Sequence, residues 1–297
     1  MLGDNTGGFS RRSALKTTAA VFGTAAMGGT VAGRSDSIDH NSNDDSDDSD
    51  ENTDDNEGRQ DDVHVTAHRG YAGLFPENTV AAAVGASRLG ADRIEIDLEA
   101  TEDGEIVVFH DAKLDDLTDE SGAVGETASE TVLQAEVLGS GETIPTLAEV
   151  LNVTDPAVTV NLEFKDSGPL TWTEFTERTL EIARQYPGEF YASSFDPDAL
   201  RAVRDVDDSV DVAPIFYENR EENVEIAREL DAEAMNPYHG LLDEEFVATA
   251  HEEGRELNVW TIDSWQVATG PIDVGADGLI ADYPMVFQTG QYPGMED

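Results

Sequence analysis

Residues able to move protons or bind anions recur where short apolar runs of this chain end. One run stops at His68 and Arg69, inside the stretch HRGYAGLFPENT. Another, NLEFK, places Glu163 two residues before Lys165, one of only three lysines in the chain. Side chains two residues apart on a strand share a face of the sheet, so Glu163 and Lys165 point the same way. A lysine so placed in a chain with so few indicates a functional contact.

The stretch IEIDLEATEDGEIVVFHD adds two carboxylates, Glu95 and Asp97, and a second histidine, His110. The link between its two apolar runs is too short for the crossover that parallel strands require. The runs are therefore predicted to form an antiparallel hairpin. Asp103-Gly104 is typical of a two-residue type I′ turn. That turn places Asp97 directly opposite His110, with Cβ atoms about 4.5–5.5 Å apart.

Glu95, Asp97 and Glu163 are predicted to converge at the strand ends. Three neighbouring carboxylates are unstable together unless protons or a metal ion neutralise them. Oxygen ligands favour a hard ion, Ca²⁺ or Mg²⁺, over zinc. The residues therefore predict a divalent metal site.

The charged and titratable neighbours of this site indicate what it binds. A metal ion beside Arg69 and Lys165 suits an anion with several oxygens, for which a phosphate is the natural candidate. His68 and His110 are then available as base and acid on either side of it. Glu77 is expected to hold Arg69. Asn78 or Thr79 is expected to cap the helix that follows.

The elements that must position these residues alternate along the chain. Apolar runs predict eight strands, near 63–68, 93–98, 158–164, 190–194, 210–216, 232–236, 256–261 and 278–281. Amphipathic patterns predict helices over 79–90, 171–186, 197–205, 220–230 and 243–253. This order predicts an α/β fold, a (β/α)8 TIM barrel with an antiparallel hairpin and a small cap insertion after strand 2. Polar residues at the carboxyl ends of barrel strands form the site in such folds.

The composition excludes several classes of protein. The chain has 297 residues, a formal charge of −47 and no cysteine. It therefore has no disulfide, zinc thiolate or thiol nucleophile. A chain this acidic is not expected to bind nucleic acid through its phosphates. Many carboxylates and almost no lysine resemble the proteins of extreme halophiles, in which molar salt shortens the Debye length to about 3 Å and screens self-repulsion.

The first 61 residues of the chain are predicted to lie outside the folded domain. Residues 1–33 contain SRRSALK followed by a Gly- and Ala-rich apolar run, and resemble a twin-arginine export signal. An ordinary amphipathic helix is the competing interpretation. The run is too short and Gly-rich for a stable membrane span, so a secreted protein is expected after processing. Residues 34–61 are predicted to be an acidic disordered linker, and residues 62–297 the barrel domain.

Several stretches, in this order, resemble the glycerophosphodiester phosphodiesterases over about residues 64–287: HRGYAGLFPENT, GADRIEIDLEATEDGEIVVFHD, NLEFK, SSF, VWTID and DGLIADYP. The resemblance implies a barrel enzyme that uses a divalent metal to split deacylated phospholipids into sn-glycerol 3-phosphate and an alcohol. It implies the following roles: His68 and His110 as the acid–base pair, Arg69 and Lys165 as phosphate contacts, Glu95, Asp97 and Glu163 as metal ligands, and Trp260 in the pocket wall.

Some residues depart from the family pattern or keep two interpretations. Asp116-Leu117 stands where the family often has Arg-Thr, which implies a different rim around the substrate. Trp260 also suits a core position, and His64 suits either packing or support of the site. Two other functions remain open: a related lipid phosphodiesterase of the phospholipase C or D type, and a non-catalytic phosphate-ester binding protein. A non-catalytic binding protein would need neither His68 nor His110, so the presence of both argues against it.

Overall fold

The computed structural model describes residues 63–284. The predicted signal peptide and acidic linker lie outside the described residues. The strands are β1 His64–Ala67, β2 Arg93–Ala100, β3 Ile106–Val108, β4 Thr159–Asp166, β5 Phe190–Ser194, β6 Val212–Phe216, β7 Ala234–Pro237, β8 Glu256–Ile262 and β9 Gly278–Ala281. The helices are α1 Val80–Arg88, α2 Ser129–Val132, α3 Leu147–Val153, α4 Trp172–Ala183, α5 Pro197–Val206, α6 Arg220–Glu229, α7 Glu244–Glu252 and α8 Trp265–Val274. Short 3₁₀ segments cover His68–Gly70, Val124–Glu126 and His239–Leu241.

Eight of the strands form a closed parallel barrel. They run in the order β1-β9-β8-β7-β6-β5-β4-β2, and β2 pairs with β1 to close the ring. β3 pairs antiparallel with β2 outside the ring. The predicted (β/α)8 barrel with a hairpin after its second strand is confirmed.

The predicted helices are all present, and their ends lie within a few residues of the prediction. Two barrel helices, α3 and α8, were not predicted. α3 begins with a capping box in which Thr146 and Glu149 bind each other's backbone N–H groups. α8 contains Pro271, and a proline inside a helical pattern is normally a stop signal. The proline explains why α8 was not predicted, and α3, at seven residues, is too short to show a clear helical period despite its capping box.

Alternation along β2 separates an apolar core from a polar barrel interior. Ile94, Ile96 and Leu98 are fully buried and belong to the core that includes apolar side chains of the outer helices. Successive side chains of a strand point to opposite faces. Glu95 and Asp97 therefore face the barrel interior, although both are buried. A second apolar cluster lies under the cap insertion after β3, around Phe109, Leu114, Val124, Val132 and Ile144.

The register of the β2–β3 hairpin differs from the prediction by one residue. Leu98 pairs with Val108. The backbone N–H of Phe109 donates to the carbonyl oxygen of Asp97 at 3.0 Å. Phe109, and not His110, is therefore the residue opposite Asp97, and the predicted direct pairing of Asp97 with His110 is wrong.

The loop of this hairpin explains the difference. A type I′ turn needs positive φ at both central residues, but Gly104 alone has it, at 79°, while Asp103 does not. The N–H of Gly104 donates to the carbonyl of Thr101 at 2.9 Å, and the N–H of Thr101 donates to the carbonyl of Glu105 at 3.1 Å. The Thr101 hydroxyl also accepts from the Glu105 N–H at 3.0 Å. These bonds close a three-residue loop, which shifts the register.

His64 lies at the amino-terminal end of the barrel, away from the strand ends that carry the chemistry. Its Nε2 is 2.9 Å from Oδ1 of Asn258. Burial, with a further contribution from Arg93, lowers the pKa of His64 to about 4. His64 therefore packs as a neutral side chain, the first of its two interpretations. Among residues 63–284, no helix has the length and apolar character needed to cross a bilayer.

Candidate active site

A cleft at the carboxyl ends of the barrel strands brings together most of the predicted site residues. Its volume is about 450 Å³ when its open mouth is included. The side chains that line it are His68, Arg69, Glu95, His110, Asn161, Glu163, Lys165, Phe195, Ile215, Trp260, Thr261 and Ile280. Asp97 and Glu77 contact the two cations of this cleft. The ends of β1, β2, β4 and β8 therefore meet at one place, as expected for a parallel barrel.

Glu95, Asp97 and Glu163 form a buried carboxylate cluster. Asp97 on β2 pairs in register with Glu163 on β4, which places their side chains side by side. Each residue offers an oxygen that lies within 4.8 Å of the other two. Each is at most 7% exposed. The predicted convergence of three carboxylates is therefore present in the fold.

The three carboxyl groups differ in how readily they ionise. Burial raises the pKa of Glu95 well above its usual value, and Asp97 and Glu163 add to the rise. Burial and Asp97 also raise the pKa of Glu163. Burial opposes ionisation of Asp97 too, but Lys165 and Arg69 outweigh it and lower its pKa. Asp97 is therefore the carboxyl group of the cluster that ionises most readily.

Arg69 is fixed by three acidic residues. Its Nη1 donates to Oε1 of Glu77 at 2.7 Å, and its Nε lies 3.4 Å from Oδ2 of Asp97. Its backbone N–H donates to Oε2 of Glu95 at 2.7 Å. Burial alone would lower the pKa of Arg69, but Asp97 and Glu77 raise it. The guanidinium is therefore charged and oriented before any ligand binds.

Lys165 links the carboxylate cluster to the wall of the cleft. Its Nζ donates to Oε1 of Glu163 at 2.7 Å and lies 3.6 Å from Oδ1 of Asp97. The same nitrogen is 5.5 Å from the ring centre of Phe195. Burial lowers the pKa of Lys165, but Glu163 and Asp97 outweigh burial and raise it. Lys165 is therefore charged, as its position in the sequence suggested.

Each histidine of the cleft is held by a carboxylate through Nδ1. Nδ1 of His68 is 2.6 Å from Oδ1 of Asp282, and Nδ1 of His110 is 2.6 Å from Oδ1 of Asp111. A carboxylate at this distance fixes the Nδ1–H tautomer, which leaves a lone pair on Nε2. Burial lowers the pKa of His110, while the nearby charge of Asp97 opposes that change. Despite the shifted hairpin register, His110 therefore still lies close enough to Asp97 for the carboxylate charge to act on the imidazole.

The roles of two site residues were not predicted. Asp282 follows the last barrel strand, a position at which polar residues are expected to belong to the site, but no role was predicted for it because its partner His68 is 214 residues away. Asn78 does not cap α1, because Thr79 does so by accepting the Ala82 N–H. Instead, Nδ2 of Asn78 donates to Oδ2 of Asp97 at 2.7 Å. Asn78 therefore helps hold the carboxylate cluster.

Trp260 and the other aromatic side chains separate into wall and core positions. The indole Nε1 of Trp260 donates to the carbonyl oxygen of Asn236 at 2.8 Å, and its ring meets Phe195 edge-on at 5.3 Å. Trp172 is partly buried and packs on Phe164 and Phe175 against the core. Trp260 therefore lies in the cleft wall.

Residues 68–286 match the sequence model of the glycerophosphoryl diester phosphodiesterase family. The chain belongs to this family. A glycerophosphodiester phosphodiesterase from Caldanaerobacter subterraneus subsp. tengcongensis is 32% identical over 229 residues, which span 74% of this chain and 94% of the relative. This member of the glycerophosphoryl diester phosphodiesterase family is therefore an enzyme, a phosphoric diester hydrolase.

Solved structures agree with the fold of this family member. A phosphodiesterase from Oleispira antarctica, solved in complex with the product sn-glycerol-3-phosphate, is 27% identical with a TM-score of 0.71. The match covers 76% of this chain and 95% of that one. A glycerophosphodiester phosphodiesterase from Thermotoga maritima has a TM-score of 0.64 at 24% identity, with 77% of this chain and 98% of that one covered. The second likeness concerns the fold alone.

The carboxylate cluster fits the divalent metal that this family uses. Its ligands are all oxygens, which suit a hard cation. Oε1 of Glu95 is buried and has no hydrogen-bond partner. A buried polar atom without a partner is costly unless something unseen satisfies it. Glu95, Asp97 and Glu163 are therefore the residues able to hold the ion.

Proposed function

We propose that this enzyme hydrolyses glycerophosphodiesters to sn-glycerol 3-phosphate and an alcohol, with Ca²⁺ or Mg²⁺ and with His68 and His110 as the acid–base pair. The observation that carries the proposal is the single cleft that both histidines line together with Arg69 and Lys165, next to the carboxylate cluster. The product bound in the Oleispira antarctica relative supports the choice of substrate.

Positive charge is the first requirement for binding a diester phosphate. Arg69 and Lys165 stay charged because the acidic groups around them raise their pKa values. They would bind the non-bridging phosphate oxygens, with Glu77 holding the guanidinium in place. A divalent ion on Glu95, Asp97 and Glu163 would neutralise the carboxylates and polarise a phosphoryl oxygen.

Proton transfer falls to the two histidines. The Asp282 and Asp111 carboxylates hold Nδ1–H, so proton exchange with the substrate takes place at Nε2. One Nε2 accepts the proton of the nucleophile, which is the neighbouring glycerol hydroxyl or a water. The other donates a proton to the leaving alkoxide. Burial lowers the pKa of His110 in the free site, and a bound phosphate anion would favour its protonated form.

The products of hydrolysis test this function directly. We expect sn-glycerol 3-phosphate and free ethanolamine to be released from glycerophosphoethanolamine, because the diester would break on the side of the leaving alcohol. A chelator should stop the reaction, and excess Ca²⁺ or Mg²⁺ should restore it. The measurement is enzymatic quantification of glycerol 3-phosphate. Turnover in excess chelator would contradict metal dependence. Release of a phosphorylated head group, or hydrolysis of intact lipids alone, would favour the related lipid phosphodiesterases.

We also infer that the enzyme is exported through the twin-arginine route and works in high salt. The pair Arg11-Arg12 and the apolar run that follows support export. Residues 1–62 carry 14 acidic and 5 basic residues, which leaves residues 63–297 a formal charge of −38. Like charges at this density repel strongly in dilute buffer and weakly in molar salt.

Thermal stability should therefore rise with salt concentration. The melting temperature, followed by circular dichroism, is expected to increase as KCl rises from dilute to molar, because screening removes repulsion from the folded state. KCl is preferred to a sulfate salt, since sulfate strengthens apolar burial by itself. A melting temperature that stays flat or falls over this series would contradict the inference.

A further inference from the structure

Four aromatic side chains at the mouth of the barrel form one continuous surface. Phe195, Tyr217 and Tyr238 directly follow β5, β6 and β7, and Trp260 lies near the end of β8. The ring centres of Phe195 and Tyr217 are 6.4 Å apart, those of Phe195 and Trp260 5.3 Å, and those of Tyr238 and Trp260 5.9 Å. We call these four residues the aromatic strip.

The aromatic strip leads from the cleft to solvent. Phe195 and Trp260 line the cleft, whereas Tyr217 is 60% and Tyr238 39% exposed. Its inner end is marked by Lys165, whose ammonium lies 5.5 Å from the ring centre of Phe195. A group esterified to a phosphate bound at Lys165 would therefore leave the cleft along this strip. Exposed apolar surface beside an active site is typical of a ligand contact.

The inner part of the strip offers little to a polyhydroxy alcohol. The only donor of the Trp260 indole is already bonded to the carbonyl oxygen of Asn236 at 2.8 Å. The neighbouring cleft residues Ile215 and Ile280 are aliphatic. Hydroxyl groups placed there would lose hydrogen bonds to water without replacement. An apolar or weakly hydrated group is better suited.

Charged residues near the aromatic strip also bear on which leaving alcohols it would accept. Glu218 directly follows Tyr217 in the chain, whereas the carboxylate of Asp196, which follows Phe195, caps α5 and accepts from the Asp198 N–H and the Trp172 indole. The exposed carboxylate of Asp263 lies close to His239, the residue that follows Tyr238 in the chain. Its charge favours the protonated form of that histidine. The acidic residues that adjoin the outer end of the strip favour a cation over an anion there, whereas the positive charge of Lys165 lies at its inner end.

We propose that the aromatic strip is the subsite for the leaving alcohol and that it selects alcohols carrying a quaternary ammonium group, such as choline. The inference rests on the proposed function and adds the chemical class of its substrate. The faces of tyrosine and tryptophan rings attract cations, most strongly when these are weakly hydrated. The methyl groups of the ammonium match the apolar surface of the exposed rings.

Three diesters distinguish the effect of positive charge on the leaving alcohol from the effect of its shape. They are glycerophosphocholine, its uncharged isostere glycerophospho-3,3-dimethylbutanol, and glycerophosphoglycerol, each assayed with the metal-loaded enzyme at one salt concentration. We expect kcat/KM for the choline ester to exceed that for the isostere by about tenfold, mainly through KM. A ratio near one would overturn the inference. Failure to hydrolyse any of the three would overturn the proposed function, and the inference with it.

Substitutions in the strip give the second test. Tyr217→Leu and Tyr238→Leu should each reduce the choline-to-isostere ratio several-fold, because leucine keeps apolar surface but removes the ring face. Trp265→Leu is the matched control: Trp265 is 63% exposed and takes part in none of the ring pairs found among residues 63–284. It should keep the wild-type ratio. An unchanged ratio in both tyrosine variants would overturn the assignment of the strip.

Discussion

Glu163→Gln is expected to lower kcat/KM by about 10²–10³-fold and to leave the fold intact. Glutamine has the shape of glutamate but no negative charge. It would remove one charged oxygen from the carboxylate cluster and weaken the 2.7 Å contact with Lys165. A ligand that binds only the folded state raises the melting temperature, so loss of the metal-induced rise is a readout independent of turnover. Both effects should appear together.

The matched control for this variant is Glu99→Gln. Glu99 is buried and lies on the same face of β2 as Asp97, but the three residues whose oxygens converge within 4.8 Å do not include it. Its substitution should keep the metal-induced rise in melting temperature. Full activity of Glu163→Gln, or a metal response equal to that of the wild type, would remove Glu163 from the proposed ligand set.

His110→Ala is expected to reduce turnover of alkyl diesters by about 10²–10⁴-fold, with phosphate-ester binding largely kept. The physical reason is the loss of the proton donor for a strongly basic alkoxide. An ester with an acidic phenol leaving group needs little protonation, so its hydrolysis should be partly spared. The comparison of kcat for the two esters, with binding measured separately by calorimetry, tests the role of His110.

Exposed His251 provides the control. It pairs with Asp277 at 2.9 Å outside the cleft lining, so His251→Ala should leave both esters unaffected. Equal losses on the alkyl and phenol esters in His110→Ala would show that His110 does not protonate the leaving group. The structure offers His68, held by Asp282 at 2.6 Å, as the other group for that step.

The barrel and the composition of its cleft could be predicted from the sequence for a geometric reason. Parallel strands joined by helices all present their carboxyl ends at one side. Residues such as Glu163 and Lys165 therefore had to approach Glu95, however far apart they lie in the chain. Alternation within β2 likewise determined which side chains face inward. These conclusions require only that the strands be identified and that side chains alternate between the two faces of each strand.

The hairpin register could not be predicted in the same way. It depended on the backbone conformation of Asp103, which kept negative φ and gave a three-residue loop closed by the Thr101 hydroxyl. Pairs such as Asp-Gly are compatible with more than one loop length. A difference of one residue in the loop moved Phe109 into the place predicted for His110.

The sequence by itself thus determined the barrel and the residue types that meet at its mouth. Side-chain alternation and strand direction can be read locally, and in a parallel barrel they bring the carboxyl ends of all strands to the same end of the fold. Tertiary structure alone decided which groups touch. The pairing of His68 with Asp282 joins the first and last barrel strands. The aromatic strip arises from four strand ends whose ring orientations depend on packing between them. Such contacts are set by distances and angles across the closed ring, which no local pattern contains.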